Sequence, residues 1–505
     1  MKHAVVIICW ISVIVTGIFL RFDDLAKRPF HADEATGARL TAKRMESRGG
    51  RFDPKHFHGP LLGDLAIPLC RIRGENHWPE MTKTTLRTLP AIIGCLLIAL
   101  PLLWRRRFGD VPMLAAAAFI ASSPLLVYYS RMFIHESLLV LFGMLVLVSL
   151  SSKPRYGIIL GILIGLMFAT KESFAISIIA WTGAGIWIAL ENRCFIDRET
   201  LSRTWRDYRF PAAIAIFTAT ITAAYFYTDG FRHPQGAIDA VRTFFIYETV
   251  GGHDKSLGYY AQLLVMPKKC AGTWWYETPI LVLALIAYAS TWLVRAEPQP
   301  HRWLIRFVAY SALAHFVIYS LIGYKTPWLA CLPWAHVCLL AGLAFLDFTK
   351  REIPMKVILI LIALAGLFTQ FKQARLACGR YASDARNPYA YVPTQRDVES
   401  LETWLLKLRK AAPNGMLEPI AVVGSDYWPL PWYLRSFEKI GFWPDPPQNL
   451  QSMPLVICLP ASSDSVMTSL EDTHMIVPRG LRPDVPVLVC VRNDIWKIWM
   501  EQPAE

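Results

Sequence analysis

Eleven blocks of nearly continuous apolar sequence dominate this chain, at 4–20, 87–104, 111–127, 138–152, 156–170, 174–190, 210–227, 279–294, 304–322, 327–346 and 355–371. A bilayer has a hydrocarbon core about 30 Å thick, which a helix of about 20 residues crosses. Inside it every backbone N–H and C=O must find a partner within the protein, so blocks of this kind are read as helices. At 54% hydrophobic over 505 residues, the chain holds far more apolar sequence than one soluble core needs. The expected fold class is an α-helical polytopic membrane protein.

The net charge of +13 follows topology rather than a nucleic-acid surface. Lys and Arg gather in alternate loops: Arg105–Arg107, Lys153 with Arg155, Arg193 to Arg209, Arg295 to Arg306, and Lys350 to Lys356. The positive-inside rule makes these loops cytoplasmic, together with the Lys2 end. The loops bearing Asp33, Arg131, Lys171 and Lys325 then fall outside, as does the tail from about residue 372. The expectation is an integral protein of the cytoplasmic (inner) membrane with its polar loops on the extracytoplasmic side and no nucleic-acid partner. Residues 1–20 read as a retained first helix, because Arg21-Phe22-Asp23-Asp24 follows where a cleavage site would stand. The ten cysteines contain no CxxC pair, which argues against a cysteine-ligated zinc site. A disulfide among Cys70, Cys270, Cys378, Cys458 and Cys490 stays open.

Two domains are expected, a membrane domain over 1–371 and an external α/β domain over 372–505. Within the first, Ala35–Glu46 and Pro60–Arg71 have the rhythm of amphipathic surface helices. Thr273-Trp274-Trp275-Tyr276-Glu277 suits an interfacial aromatic belt. In the tail, a helical pattern over Thr394–Ala411 precedes strand-like runs at Pro419–Gly424, Leu455–Leu459 and Val485–Val491. That alternation predicts a parallel or mixed sheet. The single Gly424 after the first run is not a dinucleotide fingerprint. Tyr427–Arg435, rich in aromatics, reads first as a surface that docks the tail on the membrane domain, and otherwise as the lining of a sugar site.

Four constellations carry possible chemistry. The first is His31-Ala32-Asp33-Glu34, with His56 and His58 farther along the same stretch. Paired carboxylates beside imidazoles offer metal ligands or a general base; the same carboxylates also suit the N-terminus of a helix starting near Ala35. The second is Arg131–Ser137, where Arg131, His135 and Glu136 fall within about a turn and a half of helix. Charged residues at the head of a membrane helix are costly unless paired or wet, and so are functional candidates by default; an arginine there can grip a phosphate with two N–H groups. The third is Lys171-Glu172, in a break between two spans. The fourth is Lys325 in the short turn Tyr324–Trp328, a cation placed to meet a lipid phosphate or to snorkel to the interface. Together they set acids and cations on one membrane face, as transfer from a polyprenyl-phosphate sugar donor requires.

Arg28–Ala35, His58–Leu62, Arg131–Ser137, Lys171-Glu172, Tyr324–Trp328 and Tyr427–Arg435 carry a resemblance. The ordered set, with this topology, resembles the GT-C superfamily, which includes protein O-mannosyltransferases, lipid A aminoarabinose transferases and oligosaccharyltransferases. More narrowly it resembles the bacterial and archaeal flippase activity-associated proteins. The resemblance implies Asp33 (or Glu34) as catalytic acid, Glu136 as a second acidic site residue, and Arg131, Lys171 and Lys325 as contacts to the donor phosphate. His31, His58, His135 and Glu172 stand as substrate or metal candidates, with a divalent ion the one cofactor left open. The implied function is a membrane glycosyltransferase that moves a sugar from a polyprenyl-phosphate-linked donor to an extracytoplasmic glycan, lipid or protein acceptor. The alternative is a non-enzymatic, flippase-associated protein that handles lipid-linked glycans.

Overall fold

The computed structural model describes residues 2–47, 51–55, 58–151, 157–192, 198–246, 254–293, 301–412 and 417–501. His56, Lys153, Arg155, Arg193 and Arg295, used above, lie outside the described residues.

Each of the eleven apolar blocks overlaps an apolar helix. Among the described residues six helices are long and apolar enough to cross a membrane: Ala4–Phe22, Lys83–Phe108, Phe174–Glu191, Trp205–Tyr227, Arg302–Leu321 and Ile353–Cys378. The other apolar helices are shorter, in part because proline interrupts them: Pro124 opens Pro124–Tyr129 directly after Asp110–Ser122 ends. The bundle presents Ile8, Ile11, Ile159, Phe217, Leu361 and Phe368 outward. In a water-soluble protein so much exposed apolar surface would drive aggregation; lipid is the solvent that suits it.

Small residues set the closest helix contact. Gly157, Gly161 and Gly165 recur every four residues on Gly157–Thr170 and face Arg198–Tyr227. A Cβ on Gly161 would stand 1.9 Å from Thr218 Oγ1, and one on Gly165 2.6 Å from the Ala219 carbonyl oxygen. Without a hydrophobic drive between helices in lipid, this close approach of backbones is what packing relies on.

Two surface helices cover one end of the bundle, Ala32–Glu46 and Leu61–Ile72, close to the expected pair. Thr273-Trp274-Trp275 departs from the belt reading. It forms strand β2 (Thr273–Trp275), paired antiparallel with β1 (Lys268–Cys270). Trp274 is exposed, but Trp275 is buried, its Nε1–H donating to the Cys270 carbonyl at 3.1 Å and its ring edge-on to Tyr381 and Tyr389. Glu277 is buried as well, accepting from Trp334 Nε1 and Gln370 Nε2 at 2.9 and 2.7 Å.

The C-terminal part carries a five-stranded mixed sheet of β3 (Ile420–Val423), β4 (Ile440–Trp443), β5 (Leu455–Cys458), β6 (His474–Arg482) and β7 (Val485–Arg492), in the order β4-β3-β5-β7-β6. The expected strands are the inner three. Fully buried β3 and β5 pair in parallel, and β7 runs antiparallel to β5 and β6. The two unforeseen strands are the edges, where Pro478 and Gly480 of β6 are tolerated because one side needs no ladder partner. Cys70, Cys270, Cys378, Cys458 and Cys490 are all free thiols. The aromatic run docks as expected: the Trp432 ring lies 4.0 Å from Phe30 and 5.6 Å from Trp78, centroid to centroid. Tyr433 Oη accepts from the Phe30 N–H at 2.9 Å, and Thr394 Oγ1 donates to the Phe30 carbonyl at 2.8 Å. The tail thereby grips the loop that leads into Asp33.

Candidate active site

His31 turns that loop into a helix. In extended conformation it caps Ala32–Glu46, Nδ1 accepting from the Asp33 N–H at 3.2 Å while Glu34 Oε2 accepts from the His31 N–H at 3.1 Å. This is a capping box with histidine in the place of Ser or Thr. His31 Nε2 lies 3.0 Å from the Tyr391 carbonyl oxygen, so the proton belongs on Nε2 and Nδ1 is left as acceptor. Successive helical residues point about 100° apart, and here that step separates the two carboxylates completely.

Glu34 points inward and is fully buried. Its carboxylate takes Arg87 Nε and Nη2 at 2.7 Å each and the Phe133 N–H at 2.9 Å, with Arg28 Nη2 at 3.5 Å. Burial opposes the charge; Arg87, Arg28 and the Phe133 N–H outweigh it and hold the carboxyl down at about 2. Arg87 also donates to the carbonyls of Leu25, Arg28 and Pro29. Glu34 is therefore a strut that ties the first loop to two other segments, and it lines none of the cavity that Asp33 faces.

Asp33 points outward, its side chain 54% exposed, into a cavity of about 140 Å³. Tyr324, Trp328, His58, His135, Glu136 and Lys171 share its wall, so five separate stretches of sequence meet there. Lys171 Nζ donates to Glu136 Oε1 at 2.6 Å, both side chains nearly buried. Burial disfavours the Lys171 charge, but Glu136 and Glu172 overcome it and raise the ammonium above its ordinary range. His58 Nδ1 sits 2.9 Å from Glu172 Oε2. Against the cost of its burial, His58 and Lys171 hold the Glu172 carboxyl at about 2. Burial, then His58 and Lys171, push His135 well down, so it stands neutral. The rings of His58 and His135 meet edge-on at 5.2 Å.

Of the ten residues singled out from sequence, five line this cavity, Asp33, His58, His135, Glu136 and Lys171, and Glu172 is tied to its wall through His58. His31 acts behind Asp33 as its cap. Two expected phosphate contacts are turned elsewhere. Arg131 donates to the carbonyls of Leu20, Asp23 and Asp24 at 2.8, 2.5 and 3.2 Å, closing the end of the first helix. Lys325 is buried with Nζ donating to the Ile322 carbonyl at 2.6 Å. The last carbonyls of a helix have no partner within it, and these two long cationic side chains donate to carbonyls at such ends. Arg87 opens the apolar block 87–104, whose run masks its charge; an arginine inside a predicted span is itself a signal. Tyr324 and Trp328 bracketed Lys325 but drew less weight than the cation.

Among the described residues no group of three or more His, Cys, Asp or Glu side chains is set to hold a metal ion. The donors near Asp33 already have partners: Glu136 has Lys171, Glu172 has His58, and His31 Nδ1 has the Asp33 N–H. This donor set does not fit a metal centre.

The architecture has known counterparts. ArnT from Cupriavidus metallidurans, solved bound to undecaprenyl phosphate, superposes with a TM-score of 0.63 over 96% of this chain and 98% of its own, at 14% identity. The chain shares the fold of this structure. The apo form of the same ArnT gives 0.63 at 15% identity, covering 98% and 99%. The archaeal oligosaccharyltransferase AglB from Archaeoglobus fulgidus, in complex with an inhibitory peptide and a dolichol-phosphate, gives 0.54 at 15% identity over 90% of this chain and 69% of its own. A family model for dolichyl-phosphate-mannose-protein mannosyltransferases matches residues 70–201. No curated protein matches the sequence. The chain is thus an integral membrane protein with a β-containing C-terminal part.

Proposed function

We propose that this GT-C-fold protein is a membrane glycosyltransferase that moves a sugar from a polyprenyl-phosphate-linked donor to an acceptor on the extracytoplasmic side. Residues 1–371 are the transferase domain, and 372–505 the domain that braces its first loop. The observation that carries the reading is Asp33, an outward carboxylate sharing one small cavity with the Lys171 ammonium. The ArnT and AglB structures, solved with undecaprenyl phosphate and dolichol-phosphate bound, support the lipid class of the donor.

In the proposed reaction an acceptor hydroxyl attacks the anomeric carbon. Its oxygen forms the new bond, its proton goes to Asp33, and the bond from the anomeric carbon to phosphate oxygen breaks with the electron pair leaving on the polyprenyl phosphate. Lys171, oriented by Glu136, faces the charge that develops on that phosphate. Arg131 and Lys325, held by carbonyls, fix the backbone around the cavity rather than the donor.

The test is to place wild type and Asp33→Asn in nanodiscs with a panel of polyprenyl-phosphate sugars and to measure free polyprenyl phosphate, with and without a divalent ion. Release by the wild type alone supports the mechanism. Full activity in Asp33→Asn removes Asp33 from it, and release by neither, with donor demonstrably bound, moves the reading to non-enzymatic handling of lipid-linked glycans.

A further inference from the structure

A lipid-facing groove of about 610 Å³ lies away from the Asp33 cavity and shares none of its lining residues. Its apolar walls are Pro279 and Val282 of the helix Thr278–Leu293 on one side and Ile362 and Ala365 of Ile353–Cys378 on the other. Gly366 brings the two helices together: a Cβ there would stand 2.9 Å from Ile280 Cδ1 and 3.3 Å from Pro279 Cβ. The groove runs beside that crossing, and the hairpin of β1 and β2 caps it with Trp274 and the following Tyr276. Tyr276 is fixed to the second helix, its N–H donating to Gln373 Oε1 at 3.3 Å and its carbonyl accepting from Gln373 Nε2 at 2.9 Å.

Cations stand over the apolar part. In the antiparallel register Lys269 lies directly across from Trp274, so the two side chains share one face of the hairpin. Lys372 follows Ala365 by seven residues, which puts it on the same stripe of the helix about 10 Å nearer the C-terminal end, where Gln373 holds Tyr276. Lys268 adds a third charge beside them. All three lysines are exposed, and among the described residues none has a carboxylate partner. No acidic residue occurs between Met266 and Tyr276, so nothing on the hairpin offsets the field. Trp274, half exposed directly before an apolar helix, marks the level at which hydrocarbon gives way to headgroups.

We propose that this groove holds one anionic phospholipid of the surrounding bilayer, its phosphate gripped by Lys269 and Lys372 and an acyl chain laid along Pro279, Val282, Ile362 and Ala365. The inference goes beyond the transferase reading and does not depend on it. A soluble anion gains nothing from the apolar walls, and a zwitterionic lipid brings its own cation to the lysines, whereas an anionic lipid satisfies both halves of the groove. A lipid seated here joins the hairpin to Ile353–Cys378 and adds to the clamp made by Gln373. Tyr381 Oη donates to the Ala271 carbonyl at 2.8 Å, so the brace reaches from the hairpin turn to the C-terminal part.

The experiment titrates the detergent-solubilised full chain with phosphatidylglycerol or phosphatidylcholine and counts retained lipids by native mass spectrometry. One phosphatidylglycerol is expected to stay bound beyond the phosphatidylcholine level and to raise Tm. Lys269→Gln with Lys372→Gln is expected to weaken that binding about tenfold. Ala365→Trp, which fills the groove from an exposed position, is expected to abolish it. Lys269→Arg with Lys372→Arg keeps both charges and is expected to bind as the wild type does, which separates loss of charge from damage to the fold. Equal retention of the two lipids, or binding unchanged in the double glutamine variant or in Ala365→Trp, overturns the proposal. So does loss of binding in the arginine pair, displacement of the lipid by inorganic phosphate, or preferential retention of undecaprenyl phosphate at these same residues.

Discussion

The Glu34–Arg87 pair and the Lys171–Glu136 pair sit at the same end of the same bundle, and both join a buried carboxylate to a cation at 2.6–2.7 Å. Around Glu34 every hydrogen-bonding position is taken by protein: Arg87 twice, Arg28, and the N–H groups of His31 and Phe133. Around Lys171 and Glu136 one side is protein and the other is a cavity that also holds Asp33, His58 and Tyr324. Charge at the head of a membrane helix is thus not in itself the mark of a site. What separates strut from site is whether space remains for a ligand. A buried pair that loses one partner leaves an uncompensated charge, so the strut is a point of fragility, while the cavity-facing pair can exchange its environment when a substrate enters.

Four substitutions break or sharpen this contrast. Asp33→Asn should cost about 10²–10⁴-fold in polyprenyl phosphate release, the range of a lost general base, with thermal stability unchanged because the side chain is half exposed. Arg87→Ala should cost about 3–5 kcal/mol of stability by stranding Glu34, read as a fall in detergent-solubilised Tm. If Arg87→Ala instead kept its Tm and lost only activity, the strut would belong to the site. Lys171→Met should lower release about 10–100-fold, within the range of one lost electrostatic contact to a developing charge. Adding Glu136→Gln should recover the stability lost with Lys171 but none of the rate; recovery of both would demote the pair to structure.

The smallest effect is a pH dependence. Glu34 and Glu172 both have their carboxyls lowered from 4.5 to about 2. A carboxyl whose folded pKa lies below its unfolded value contributes stability that is complete above the unfolded value and is lost as pH falls through the folded one. Wild-type Tm should therefore decline between about pH 4.5 and pH 2. Glu34→Gln should flatten more of that decline than Glu172→Gln, since Glu172 is 22% exposed and screened by solvent. Equal flattening would erase the distinction between strut and site.

Much of the fold could be read along the chain. The apolar blocks match helices because hydrocarbon forces the backbone to satisfy itself locally, and the inner strands β3, β5 and β7 announce themselves as unbroken apolar runs. The edge strands did not: β4 holds Gly441 and β6 holds Pro478, residues that lower strand propensity and survive because an edge is bonded on one side only. The Gly157, Gly161, Gly165 spacing was in plain sight, but a glycine row becomes a packing face only once a partner with Ala215 and Ala219 lies against it. Trp275 departs from the interfacial belt for the same reason. An interfacial tryptophan and a core tryptophan share one composition, and Tyr381 and Tyr389, more than a hundred residues away, decide which it is.

By itself, then, the sequence determined the apolar helices, the gathering of basic residues in alternate loops, a surface helix starting near Ala35 and the short set of polar residues from which a site had to come. Hydropathy, charge and capping act over a few residues, so they are written locally. Only the tertiary structure decided that Asp33 faces the cavity while Glu34 is buried, that Arg131 and Lys325 close on carbonyls while Lys171 lines the wall, and that His58 meets Glu172 from 114 positions away. Those outcomes depend on which helix faces pack together. A turn of about 100° per residue makes neighbours in sequence strangers in space, and packing makes distant residues neighbours.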